Sequence, residues 1–194
     1  MRNFLKILIA GLLVFSFAAA APQKGSFTDS RDGHKYKTVE IGDQTWMAEN
    51  LNYKVNDGKQ SWCYDKKKSN CEKYGRLYTW KAAQKVCPAG WHLPSLEEFG
   101  TLLEKDGSSE EAKSANLRAP SWEEGEDKYG FSALPAGGYR SSYKEFLSLG
   151  YDAYFWSSTE GSESYAYGLG IHDDNAYVLD SNKDNGYSVR CLKD

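Results

Sequence analysis

Few side chains in this chain are suited to covalent or metal chemistry. They are four cysteines (Cys63, Cys71, Cys87, Cys191), three histidines (His34, His92, His172) and several short acidic runs in 194 residues. Four cysteines allow three disulfide pairings. Loop closure favours Cys63–Cys71, because the hydrophilic stretch Tyr64 to Asn70 bends back readily. Cys87 and Cys191 then remain to tie the end of the chain to its middle. In the chain-entropy model a loop of about 100 residues stabilises by about 4–5 kcal/mol and a short one by roughly half that. Zinc is the competing chemistry, but structural zinc sites use closely spaced pairs such as C-x2-C. The wide spacing here, with His92 alone nearby, does not supply one.

A hydrolase needs paired carboxylates, or a nucleophile with a base. Glu123, Glu124, Glu126 and Asp127 are abundant, yet a charge run is usually a solvated face. Ser157 and Ser158 do not lie in a G-x-S-x-G turn. His92, between Trp91 and Leu93, reads as a satisfied, partly buried histidine. No catalytic residue is assigned. Calcium has oxygen ligands on offer in Glu123–Asp127, Asp173-Asp174-Asn175 and Asp180-x-Asn182-x-Asp184-Asn185, although Asp and Asn also populate turns for backbone reasons. Calcium therefore stays open, and no metal ligand is named. Sugar sites stack aromatic rings on a pyranose and fix its hydroxyls with carboxylates. Trp46, Trp80, Trp91 and Trp156 sit inside regular motifs and read as core. Trp62 and Trp122 lie in polar stretches, so Trp62, Trp122, Glu124 and Asp127 are the expected ligand-binding residues.

These groups sit in a chain whose compartment is legible at its start. Arg2 and Lys6 precede an apolar run from Ile7 to Phe17, followed by Ala18-Ala19-Ala20-Ala21-Pro22. A basic start, a short apolar stretch and small residues make a signal peptide over residues 1–20, cleaved after Ala20. The run is shorter than the roughly 20 residues a membrane span requires. The expected mature chain is secreted or held at the cell surface, with no membrane span. Lys plus Arg number 24 against 27 Asp plus Glu, a net charge of −3 with no long basic run, so nucleic acid is not an expected partner. An apolar fraction of 40% with 6 Trp, 14 Tyr and 8 Phe belongs to a folded chain with one core.

The elements follow from periodicity. Asp32-Gly33 marks a tight turn. Tyr36 to Ile41 alternates as a half-buried strand, and Gln44 to Met47 follows the Gly42-Asp43 turn. Thr79 caps a helix carrying Trp80, Ala83 and Val86, which ends before Pro88. Ser95 and Glu98 match a capping box, and Leu96, Phe99, Leu102 and Leu103 form an apolar stripe that Gly107 stops. Residues 106 to 130 read as a long polar surface loop. Strands are expected at Phe155–Thr159, Tyr165–Leu169, Ala176–Leu179 and Tyr187–Leu192. The sum is one α+β domain.

Several of these stretches, in order, resemble a known family. Gln44-Thr45-Trp46-Met47-Ala48-Glu49-Asn50-Leu51, Tyr74-Gly75-Arg76-Leu77-Tyr78, Cys87-Pro88 with Gly90-Trp91-His92-Leu93-Pro94-Ser95, Gly130 to Gly138, Phe155 to Glu160 and Ser188-Val189-Arg190-Cys191 are similar to the Fibrobacter succinogenes major paralogous domain over residues 26–193. That family is similar in turn to the C-type-lectin-like superfold, including its formylglycine-generating branch. The resemblance implies two helices flanking small, mostly antiparallel sheets, with the two ends of the domain close together. It names no molecular activity. The redox-active cysteine pair of the formylglycine-generating enzymes has no counterpart near Cys191, so Cys191 is expected to be structural. The Glu-Pro-Asn or Gln-Pro-Asp loop and the Trp-Asn-Asp triplet of calcium-dependent sugar binders are missing too. The expected function is a non-catalytic secreted or surface module that binds carbohydrate or protein through its loop face. The alternatives are a polysaccharide-active enzyme and a structural cell-envelope protein.

Overall fold

The computed structural model describes residues 21–55, 60–105 and 108–194. The expected signal peptide and the helix-stopping Gly107 lie outside the described residues. Strands β1 (Lys24–Thr28), β2 (Lys35–Ile41) and β3 (Gln44–Met47) form an antiparallel meander. The turn between β1 and β2 is held by Asp29, whose buried carboxylate accepts from Arg31 Nη2 at 2.6 Å. Next come β4 (Ser61–Trp62), a single 3-10 turn at Tyr64–Lys66, α1 (Lys68–Tyr74), β5 (Leu77–Tyr78), α2 (Trp80–Val86), β6 (Trp91–His92), α3 (Leu96–Leu103) and α4 (Glu110–Leu117). The last third holds β7 (Gly138–Arg140), β8 (Glu145–Leu147), β9 (Ala153–Glu160), β10 (Tyr165–Ile171), β11 (Ala176–Asn182) and β12 (Leu192–Lys193).

The helix starts obey the capping chemistry. Thr79 Oγ1 accepts from the Ala82 amide. Ser95 and Glu98 close the capping box reciprocally, satisfying amides that a helix start otherwise leaves unpaired.

A five-stranded sheet runs β1-β2-β3-β12-β6, and a three-stranded sheet runs β11-β10-β9. The pairs β4–β5 and β7–β8 stand apart as small hairpin-like ladders. The three-stranded sheet is packed on both faces. Phe155, Leu169 and Ile171 join a cluster with Trp46, Phe99, Leu102 and Phe131, while Trp156, Ala166 and Leu179 join one with Tyr36, Met47, Tyr78 and Val86. Burying each large apolar side chain contributes about 1.5–3 kcal/mol. Both expected disulfides are present, Cys63–Cys71 and Cys87–Cys191, and no cysteine is free.

Three expectations are corrected. The segment 106–130 is not a surface loop throughout. Ser109 caps α4, and Leu117, Arg118 and Trp122 are buried. The segment has no long apolar stripe, but a single anchor at each end seats it on the core. Tyr187–Leu192 is not one strand. Tyr187 and Ser188 bridge to Tyr78 and Phe155, the next residues run alongside Met47 and Leu51, and only Leu192–Lys193 pairs regularly, between β3 and β6. Finally, four α-helices are described rather than two. Helix α1 lies within the hydrophilic stretch between Cys63 and the Tyr74-Gly75 turn, and its only buried residue is Cys71. The disulfide, not amphipathicity, holds it. Gly75, at φ +76, ends it where a Cβ would fall 2.7 Å from Asn50 Cβ.

The chain's end is drawn inward by Arg190. Its guanidinium is fully buried, donates to Asn50 Oδ1 and Ser132 O at 2.9 Å each and to Phe131 O, and lies 4.5 Å above the Phe131 ring. Burial lowers its pKa from the usual range, and among the described residues no hydrogen bond or ion pair ties it to a carboxylate. Backbone carbonyls and an amide oxygen do the work of a counter-ion there, which joins the 47–51, 131–132 and 188–192 segments at one point.

Candidate functional site

The four residues singled out from the sequence do not converge. Trp122 is 4% exposed and belongs to the core cluster with Leu117 and Phe131, so its ring offers no face to a ligand. The Arg118 guanidinium covers it at 5.5 Å. Asp127 is half-buried, with its carboxylate accepting from the Ser132 amide and hydroxyl at 2.6 Å each; it closes a loop. Glu124 is exposed in a left-handed turn conformation. Trp62 alone reaches a cleft edge. It is half-buried, stacks on Tyr139 with ring centroids 4.7 Å apart, and packs over Gly186.

That Trp62–Tyr139 stack borders a cleft that the sequence reading missed. A cavity of about 240 Å³ opens between the β7–β8 pair and the sheet face carrying β9 and β11. Tyr139, Tyr154, Tyr177 and Tyr187 wall it, with Arg140 at hand. The register explains the arrangement. Gly170 stands opposite Tyr177 on one side and Tyr154 on the other. A Cβ at Gly170 would collide with the Tyr177 ring, so the glycine lets that ring lie flat on the strand while its outer side stays 38% exposed. Tyr154 and Tyr187 sit 5.0 Å apart, and Tyr187 is backed by Trp156 at 4.6 Å.

The walls are fixed by hydrogen bonds. The Tyr187 hydroxyl pairs with Ser181 Oγ at 2.8 Å, and Asn185 Nδ2 donates to the same oxygen at 2.9 Å. Asn185 Oδ1 accepts from the Ser141 amide and hydroxyl at 3.0 Å each. Tyr154 donates to Asp152 Oδ2 at 2.7 Å. Burial first, and Asp152 after it, push the Tyr154 and Tyr177 phenols up, so both remain neutral hydroxyls. Among the described residues no hydrogen bond or ion pair reaches the Asp180 carboxylate. The Arg140 guanidinium stands 5.8 Å from the centre of the Tyr143 ring. The cleft thus presents aromatic faces, the Tyr177 hydroxyl and the Arg140 guanidinium, while the Asp180 carboxylate lies against Gly161 and Tyr167 on the other face of β11. A sugar hydroxyl both donates and accepts, so this set suits it. Two glycines at alternate positions, Gly168 and Gly170, inside an otherwise apolar strand were the available sequence signal.

The histidines are accounted for otherwise. His92 is held by Asp194 at Nδ1 (2.7 Å) and Glu98 at Nε2 (3.0 Å). Burial works against its charge, but these two carboxylates outweigh it and raise its pKa. His172, Asp173 and Asp174 place ligand atoms within 4.8 Å of one another on an exposed turn between β10 and β11. Of the other oxygen-rich stretches, Asn182 Oδ1 accepts from the Asp184 amide and Asn185 from Ser141, which is turn-forming work. Cys191 is buried in its disulfide and offers no thiol.

Residues 39–193 match the sequence model of the Fibrobacter succinogenes major domain. No curated protein and no solved structure matches the chain.

Proposed function

The chain belongs to the Fibrobacter succinogenes major domain family, and from that premise we propose that it is a non-catalytic carbohydrate-recognition module whose binding site is the tyrosine-walled cleft. The observation that carries this is Tyr177, lying flat on Gly170 with its outer face free, in a cleft that the Arg140 guanidinium also lines. An aromatic platform takes the apolar face of a pyranose, and the Arg140 guanidinium and the Tyr177 hydroxyl take its hydroxyls. Binding is favoured over hydrolysis because the carboxylate bonded to a cleft tyrosine, Asp152, is only 13% exposed and already accepts from Tyr154, whereas glycoside hydrolysis needs two presented carboxyl groups. Export through residues 1–20 and display at or beyond the cell surface belong to the same reading. So does kinship with the C-type-lectin-like superfold, supported by β12 pairing beside the N-terminal meander and by the Cys87–Cys191 bridge from the end of α2. Among the described residues no helix is long and apolar enough to cross a membrane.

The test is titration calorimetry of the purified protein with neutral hexasaccharides of the cello-, xylo- and manno-series, with and without EDTA. One series should bind, and Tyr177→Ala should weaken it about tenfold, near 1.4 kcal/mol, with the melting temperature unchanged. Loss of binding in EDTA would add calcium to the site. No binding to any series, or binding that Tyr177→Ala and Arg140→Ala leave intact, would overturn the proposal.

A further inference from the structure

Helix α2 buries Ala82, Ala83 and Val86 and turns Lys81, Gln84 and Lys85 outward. Lys81 and Lys85 stand one helical turn apart, where like charges repel. Among the described residues neither has a hydrogen bond or an ion pair to offset the other. Two hollows flank this ridge, and both lysines line both. One, of about 470 Å³, reaches Trp80 and Lys183. The other, of about 280 Å³, reaches Tyr53 and Arg31.

The cations at the far sides of these hollows are already answered. Lys183 is bonded by Glu160 and by the carbonyls of Ser162 and Glu163, with its ammonium 4.6 Å from the Trp80 ring. Arg31 is paired with Asp29, bonds Val86 O, and lies 4.0 Å over the Tyr53 ring. Both aromatic faces are therefore occupied by fixed cations. Of the cations lining these two hollows, Lys81 and Lys85 on the ridge are the ones with no hydrogen bond or ion pair among the described residues. Glu163 and Asp184 stand in the larger hollow beyond it, so an anion is received along the ridge and not at the hollow's floor.

We propose that the outer face of α2 is a second binding surface, separate from the tyrosine cleft, that takes a carboxylate-bearing polysaccharide. Lys81 and Lys85 contact uronate groups along the chain, and beside them the Gln84 Oε1, whose amide nitrogen donates to Ser158 O, and the Asn182 Nδ2, whose Oδ1 accepts from the Asp184 amide, meet ring hydroxyls. Charge complementarity selects the anion. The shallow trough crossing the helix, with amides among its walls, selects an extended polyol over a compact phosphate.

The test is retention of the purified protein on immobilised polygalacturonate, with its fully methyl-esterified form as the uncharged match and poly-glutamate as the acidic peptide. Polygalacturonate should retain the protein and the ester should not. The Lys81→Glu/Lys85→Glu double variant should weaken retention about tenfold or more, and raised salt should release the wild type. Tyr177→Ala should leave retention unchanged, which separates this surface from the cleft. A circular dichroism melt confirms that the double variant is folded. Lys81→Gln/Lys85→Gln serves if it is not. No retention, equal retention on the ester, retention indifferent to the lysines, or equal retention on poly-glutamate would each overturn the proposal.

Discussion

Two side chains show how far burial can reassign a residue's role. Trp122 sits in a polar, acidic stretch and has the composition of an exposed sugar platform, yet it is 4% exposed against Leu117 and Phe131. Its removal is a core deletion. Trp122→Ala should lower the unfolding free energy by about 3–5 kcal/mol, measured by urea denaturation, whereas Tyr177→Ala in the cleft should lie close to wild type. Arg190 makes the opposite point, a charge doing the work of a core residue. Its fork reaches Asn50, Phe131 O and Ser132 O together. A lysine is a point donor and cannot span them. Each buried acceptor left without a donor costs about 1–3 kcal/mol. Arg190→Lys should therefore destabilise by about 3 kcal/mol, while the exposed Arg140→Lys stays within about 0.5 kcal/mol in the same assay.

At the scale of elements, legibility followed the strength of local signals. The alternation in β2, the Thr79 cap and the Ser95–Glu98 box are complete within a few residues, and those elements form where they were expected. Helices α1 and α4 carry no apolar stripe. They depend on a disulfide and on Leu117 respectively, which are tertiary facts with no local pattern. The two disulfides consequently differ in what they hold. Cys87–Cys191 closes a separation of 104 residues and Cys63–Cys71 one of 8. In the chain-entropy model the first contributes about 4.7 kcal/mol and the second about 2.5 kcal/mol. Paired alanine variants, compared by denaturant midpoint, should rank in that order. The start of α3 adds a pH dependence. Glu98 serves both the cap and His92; burial opposes its ionisation, but the Ser95 amide and His92 outweigh it and lower its pKa below 4.5. The His92 pKa is raised above 6.5, so its contribution is complete below 6.5 and fades as pH rises through the raised value. The Glu98 contribution is complete above 4.5 and fades as pH falls through the lowered value. The melting-temperature difference between wild type and His92→Gln should be largest between these pH values and shrink on either side.

Across the whole molecule, the candidate site escaped the sequence because no segment contains it. Tyr139, Tyr154, Tyr177 and Tyr187 come from four separate stretches and meet only once Gly170 opens the sheet face and the β7–β8 pair folds over it. Each tyrosine, read alone, is an ordinary strand residue. The end of β11 and the turn after it border both proposed surfaces: Ser181 and Asn185 face the cleft, and Asn182, Lys183 and Asp184 line the hollow beside α2. One polymer can therefore lie across the turn and occupy both, provided it carries a neutral backbone for the tyrosines and acid groups for the lysines. Joining two sites through one ligand makes the second contact intramolecular, so avidity can exceed either affinity by about a hundredfold or more without any new contact. Long glucuronoxylan should then bind more tightly than a xylohexaose or a short galacturonate oligomer. Tyr177→Ala and Lys81→Glu/Lys85→Glu should each collapse that advantage to the level of the surviving site, and only the tyrosine-dependent remainder should resist raised salt. Equal affinity for long and short glycans would show that the two faces act alone, and an advantage that survives either variant would place the second contact elsewhere on the surface.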